Sequence, residues 1–237
     1  MKFGFPSFGN IRNYGEFVVS FDKRTRNANW VFEHITSDRL LRKDQEAVDR
    51  TKCQFTEDSS IHPYFRATNE DYKSSGYDRG HLAAAGNYRH SQISTDQTFL
   101  LSNISPQVGK GFNRDAWNSL EKLVRAIARK NKSVYLCTGP LYLPQHDDND
   151  GKLYVKYEVI GKNHVAVPTH FFKIVIIETN TGDYEQLSFV MPNKALPPDV
   201  PLKNYLVPVE SVERAAGLLF FEKLPKNKLI KVNHSKR

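Results

Sequence analysis

Short, strand-length runs of apolar and aromatic residues, each closed by a turn, recur along most of the chain, while only one stretch carries a long helical repeat. That ratio constrains the fold more than any other feature, because a sheet-rich chain with one main helix must wrap that helix onto a sheet face. Residues 17–21 and 30–35 read as strands on either side of a basic turn at 23–27. Residues 134–138 form another, closed by Gly139-Pro140, and 153–160, 164–168, 171–178 and 186–191 follow at hairpin-like intervals. The helical repeat begins at Asn113: Trp117, Leu120, Val124, Ile127 and Ala128 share one face, with Lys122, Arg125, Arg129 and Lys130 between them. A short second helix is expected over 208–216, with Pro at its first turn and Gly217 just past its end. The basic stretches 226–231 and 234–237 read as solvated, frayed ends. With no internal repeat and no low-complexity linker, the simplest organisation is one α+β domain over residues 1–237.

A chain of 237 residues can bury one substantial core. Its formal net charge of +8 suits either a polyanionic partner or a plain solubility charge, and charge alone does not choose between them. The two cysteines, Cys53 and Cys137, form no disulfide framework and no metal spacing. Cys137 falls within a strand pattern and reads as an inert core thiol, and a single bridge to Cys53 stays open. No run approaches the ~18 consecutive apolar residues of a membrane span. The opening Met-Lys-Phe-Gly-Phe-Pro resembles neither a signal peptide nor an Arg/Ser-rich presequence, so either the protein has no targeting segment or this is a mature chain from which one has been removed.

The chemistry concentrates in three blocks. Tyr77-Asp78-Arg79-Gly80-His81 is followed by Leu100-Leu101-Ser102-Asn103-Ile104-Ser105-Pro106-Gln107, then by Phe112-Asn113-Arg114-Asp115-Ala116-Trp117-Asn118-Ser119-Leu120-Glu121. Each block has an ordinary reading alone: a surface turn with an internal ion pair, a structural histidine, an N-cap asparagine. Together they ask for more. Gly80 permits a close backbone approach beside His81, a base with an unperturbed pKa of ~6.5. Asn113, Trp117, Glu121 and Arg125 succeed one another a turn apart along the helix. A carboxylate and a guanidinium on an otherwise apolar face need partners, and a hydrated metal with a phosphodiester would supply them.

In this order the blocks resemble the DNA/RNA non-specific endonuclease family, whose signature is Asp-Arg-Gly-His. Residues 154–173 and 207–220 are similar to its mitochondrial branch, and the resemblance runs over about 14–224 with no departure at the catalytic positions. A sister branch of 5′-exonucleases has Ser at the motif Asp and a longer C-terminus, whereas this chain has Asp78 and stops short. The resemblance implies a ββα-metal (His-Me finger) fold, with a mixed, mostly antiparallel sheet flanked by helices. His81 would be the general base, carried on a two-stranded ribbon crossed by the helix. Asn113 would be the sole protein ligand of one Mg²⁺, with Mn²⁺ as the alternative ion. Glu121 and Asp78 would take hydrogen bonds from metal-bound water, Asp78 also holding Arg79 or the helix. Arg79 and Arg125 would face the phosphate, with Arg50 a looser third. Asn103, grouped with the catalytic set, would buttress the His81 strand. The activity implied is Mg-dependent, sugar-non-specific hydrolysis of DNA and RNA to 5′-phosphate and 3′-hydroxyl ends. Also implied are a homodimer, a protein inhibitor, residence in the mitochondrial intermembrane space, and release to the nucleus in apoptotic DNA degradation.

Two tempting features are set aside. His146-Asp147-Asp148-Asn149-Asp150-Gly151 looks like a calcium loop, but aligning Gly151 with the loop glycine puts His146 first and Tyr157 last, neither a suitable ligand. It reads as a polar hairpin turn. His164 and His170 flank a strand without a third ligand and read as structural.

Overall fold

A computed structural model describes residues 2–5, 9–40 and 48–236; Met1, Pro6 and Arg237 of the stretches discussed above lie outside them. In chain order the strands are β1 (Ile11–Asn13), β2 (Phe17–Asp22), β3 (Asn27–Ile35), β4 (Tyr77–His81), β5 (Ile104–Val108) and β6 (Ser133–Leu141). They continue as β7 (Gln145–His146), β8 (Leu153–Tyr154), β9 (Val159–Ile160), β10 (Val165–Ala166), β11 (His170–Glu178), β12 (Tyr184–Pro192), β13 (Leu229–Val232) and β14 (Ser235–Lys236). Eight of them form one sheet in the order β1-β2-β3-β6-β11-β12-β13-β14. All its pairings are antiparallel except β12 with β13. The fold is the α+β, mostly antiparallel arrangement expected.

Alternation along the central strands divides the interior in two. On β11, Phe171, Val175 and Ile177 face the long helix Asn118–Lys130, whose Leu120, Val124 and Ala128 pack against them together with Val31, Val134 and Leu136. Phe172, Ile174 and Ile176 point to the opposite face, where they meet Trp30, Phe32, Cys137 and the segment holding Val212, Phe220 and Phe221. Both faces are covered, so the central strands read as near-continuous apolar runs. The helix Val209–Ala216 ends as its sequence predicts, with Gly217 left-handed at φ 66°.

Several boundaries differ from expectation. β6 continues through Gly139 and Pro140 because both pair with β11, opposite Phe172 and Phe171. The stretch 153–160 forms only the short β8 and β9, and its side chains are largely exposed, so no core holds it as one strand. The basic end is not frayed: β13 runs parallel to β12 and β14 folds back on it, extending the main sheet. Lys231 there pairs with Glu185 at 2.7 Å. Cys53 and Cys137 are both free thiols, Cys137 fully buried. The 147–152 segment is the turn of the β7–β8 hairpin, as read. Among the described residues no helix is long and apolar enough to cross a membrane.

Candidate active site

The signature motif is strand β4, paired antiparallel with β5 so that His81 lies opposite Ile104 and Asp78 opposite Gln107. The ribbon stands apart from the main sheet and leads directly into the segment Gly109–Trp117, which opens the helix. Gly80 is required by a close approach, since a Cβ there would sit 2.1 Å from Gln107 Oε1. Gln107 is fully buried against the motif strand. This is the tight packing beside His81 that the motif glycine suggested.

Asn113 is not the N-cap of a regular α-helix. It lies in the segment Gly109–Trp117 that runs into the helix, two residues past a kink where Lys110 and Gly111 leave helical geometry. Within it Gly111 adopts φ +84°, and the backbone of Ala195 leaves no room for a side chain there. Asn113 Nδ2 donates to Asp78 Oδ2 at 2.9 Å. That bond leaves Oδ1 as the group without a protein donor among the described residues.

Of the two alternatives expected for Asp78, it holds the helix segment and not Arg79. Its carboxylate is gripped bidentately by Arg114, Nε to Oδ2 at 2.8 Å and Nη2 to Oδ1 at 2.5 Å. The Arg114 guanidinium, more than the Asn113 amide, holds the Asp78 carboxyl below its usual range. Arg79 instead reaches Asn69, Nη1 to Oδ1 at 2.6 Å, and its guanidinium lies 4.4 Å from the Phe55 ring centroid. Arg114 is the residue that sequence reasoning passed over. It sits next to Asn113 in the quoted block, and only the packing of ribbon on helix turns it toward Asp78.

His81 is seated between Phe99, edge-on at 4.6 Å, and Phe55 at 5.5 Å between centroids. Its Nε2 is sealed from solvent without a hydrogen-bond partner. Burial, helped by the positive charge of Arg50, holds its pKa down to about 3, so the imidazole is neutral at physiological pH. Asn103, by contrast, is fully spent on backbone. It accepts from Ala83 N at 2.9 Å and donates to Ala83 O at 3.0 Å and Thr98 O at 2.8 Å. It therefore clamps the chain that follows His81 and does not open onto the cleft; its grouping with catalytic residues is corrected to a positioning one.

A cleft of about 450 Å³ gathers His81, Asn113, Glu121, Arg50, Arg79 and Arg125 on one wall system. Arg89, Arg114 and Lys122 join them, unforeseen from sequence because each is an ordinary surface cation until the fold converges them. Glu121 is the one acidic residue lining it among the described residues, and Asp78 borders an adjoining depression that shares Phe55, Arg79 and Asn113. Burial pushes the Glu121 carboxyl up to about 7, against the pull of Lys173 and then Arg125. Arg125 Nη1 lies 3.8 Å from Glu121 Oε2 and donates to Asn87 Oδ1 at 3.2 Å. A lone amide oxygen near one carboxylate suits a hard cation that keeps most of its water, and the donor set fits Mg²⁺ better than a thiophilic ion. The surrounding cations suit a phosphodiester.

A neutral imidazole on a ββ ribbon, faced by a helix asparagine in a basic cleft, is the architecture of a ββα nuclease, and the chain belongs to the DNA/RNA non-specific endonuclease family, whose profile matches residues 1–227. It is a metal-dependent nuclease of that family. The chain is 51% identical over 237 residues to the mitochondrial Endonuclease G of Caenorhabditis elegans, spanning 100% of this chain and 76% of that one. It is 53% identical over 219 residues to the mitochondrial Endonuclease G of Homo sapiens, spanning 92% and 72%. Among solved structures it resembles the EndoG chain of an EndoG/EndoGI complex described as a mechanism of EndoG inhibition. That match has a TM-score of 0.96 and 53% identity, and covers 100% of this chain and 95% of the other.

Proposed function

We propose that this chain is a Mg²⁺-dependent, sugar-non-specific endonuclease that hydrolyses DNA and RNA, with His81 as general base and Asn113 as the metal-holding residue. The observation that carries this reading is the meeting of a neutral His81 and an Asn113 with an undonated Oδ1 in one cation-lined cleft. His81 takes the proton of the attacking water at a ring nitrogen, a transfer its neutral state permits across the physiological range. When bound at Asn113 Oδ1, Mg²⁺ or its alternative Mn²⁺ would supply positive charge to the scissile phosphate and the leaving oxygen. Asp78 fixes the Asn113 amide so that its oxygen is the free end, and Arg114 fixes Asp78 in turn. Glu121 accepts hydrogen bonds from water in the cleft. Arg79 and Arg125 hold the phosphate as planar forks, with Arg50 and Arg89 completing the cationic wall. Contacts made to phosphate and not to base edges explain why sugar and sequence matter little. Breakage on the 3′-oxygen side leaves 5′-phosphate and 3′-hydroxyl ends.

The finer biology rests on the family. Mitochondrial residence follows its mitochondrial relatives, and we extend it to the intermembrane space, with nuclear release in apoptotic DNA degradation. A homodimer and a protein inhibitor are the proposed assemblies, the inhibitor by analogy with the EndoG/EndoGI complex. A single domain over 1–237 is supported by a main sheet that takes strands from both ends of the described chain.

The test is supercoiled closed-circular plasmid incubated with the protein and Mg²⁺, beside EDTA and His81→Ala controls. Nicking lost in both controls, with DNA retention unchanged in His81→Ala, is the expected result. Cleavage confined to linear DNA would favour the exonuclease branch. Retardation without any cutting would mark a binding protein.

A further inference from the structure

Glu33 lies in β3 on the sheet face covered by the long helix, and it is completely buried. Its Oε1 accepts from Asn87 Nδ2 and from the Tyr88 hydroxyl, each at 2.8 Å, while Oε2 has no hydrogen-bond partner. A half-satisfied carboxylate in an apolar interior is costly, and nothing in the packing of β3 asks for one. The compensating cation on the same face is Lys173, buried, hydrogen-bonded through Nζ to Thr138 Oγ1 at 2.6 Å and lying 5.0 Å from the Trp117 ring centroid.

Asn87 shows what this buried acid accomplishes. It belongs to the turn Ala85–Asn87 that follows the His81 strand and lines the back of the cleft. Because its Nδ2 is given to Glu33, its Oδ1 faces the other way and accepts from Arg125 Nη1 at 3.2 Å. With Oε1 acting as the acceptor, the acid fixes which end of the amide points at the guanidinium. A reversed amide would present N–H groups to a cation. The same logic recurs across the cleft, where Asp78 sets the polarity of Asn113.

We propose that Glu33 and Asn87 are positioning residues of the nuclease centre, with the buried carboxylate setting the Asn87 amide and that amide holding Arg125 in place beside Glu121. The proposal rests on the reading that Arg125 faces the scissile phosphate.

A double-mutant cycle on kcat and KM for a defined duplex oligonucleotide tests it, with Tm recorded for every variant. Asn87→Leu is expected to lower kcat by about tenfold to a hundredfold, the scale of a misplaced catalytic contact, with a smaller change in KM. In an Arg125→Ala background the same substitution should change kcat by no more than about twofold, since the group it acts through is gone. Glu33→Gln, which introduces a donor beside the amide, should show a loss that also disappears in that background. Equal losses in both backgrounds, or full activity in a folded Asn87→Leu protein, would overturn the proposal. If Asn87→Leu fails to fold, the Glu33→Gln cycle decides by the same criterion. Arg125→Ala with the parent's kcat and KM would remove the phosphate-facing role beneath the proposal, whereas a parent protein that cuts nothing would refute the nuclease reading itself.

Discussion

His81 must hold a proton only transiently, and its surroundings ensure that it starts without one. Phe55 and Phe99 pack against the ring, burial disfavours its charged form, and Arg50 opposes a second positive charge. The folded protein therefore binds the His81 proton less tightly than the unfolded chain, where the value is near 6.5. The sign follows: stability from this group is complete above about pH 6.5 and is lost as pH falls toward about 3. In the metal-free protein, the His81 ring signals followed by NMR should titrate near pH 3; a midpoint above 6 would show an open, solvated imidazole. The acid limb of the rate profile should accordingly come from another group. Asn113 gives the companion prediction at this scale. Asn113→Ala should weaken the Mg²⁺ dependence and the rate together, and an unchanged Mg²⁺ titration would remove Asn113 from contact with the ion.

At the scale of elements, the site depends on how closely β4 and β5 meet. The side chain of Gln107 occupies the space that any residue other than glycine at position 80 would need. Gly80→Ala should destabilise the fold by about 1–3 kcal/mol, the usual cost of overpacking a closed interior, measured by urea unfolding. Adding Gln107→Ala should recover part of that loss. Additive losses in the double variant would show that the cost at Gly80 arises elsewhere. The ribbon's approach to the helix was implied by the family resemblance that the motif blocks carry. The kink at Lys110 and Gly111 that precedes that helix was not, because there Gly111 packs against Ala195, a residue far along the chain.

For the molecule as a whole, charge is distributed in two ways. The cleft concentrates cations toward substrate, while at the far end of the sheet Glu178 is enclosed by Lys2 at 2.7 Å, Lys132 at 2.8 Å and Tyr135 at 3.0 Å. Burial pushes its carboxyl up, but the hydrogen bonds from Lys132 and Lys2 outweigh that and bring it down to about 2. A depressed carboxyl contributes stability above its unfolded value near 4.5, and that contribution disappears as pH falls toward about 2. Thermal melts between pH 6 and pH 2 should show a steep decline in Tm that Glu178→Gln flattens below about pH 4.5. Parallel curves for the two proteins would exclude the ion cluster as the source.

What the sequence determined by itself was whatever depends on local periodicity or on a motif read in order: the central strands, the helix bearing Trp117 to Ala128, its capped companion at 209–216, and the family to which His81 and Asn113 point. What only tertiary structure decided was pairing between distant groups. The parallel placement of β13 on β12 is one case, since Leu229–Val232 carries no signal that distinguishes a sheet edge from a wet tail. Arg114 on Asp78, Asn103 on the backbone of Ala83, and Glu33 on Asn87 are others. Hydrogen bonds of this kind join residues 20 to 54 positions apart, and their partners are set by how the ribbon, turn and helix come together. Side-chain identity names the groups available, and the buried geometry alone says which of them meet.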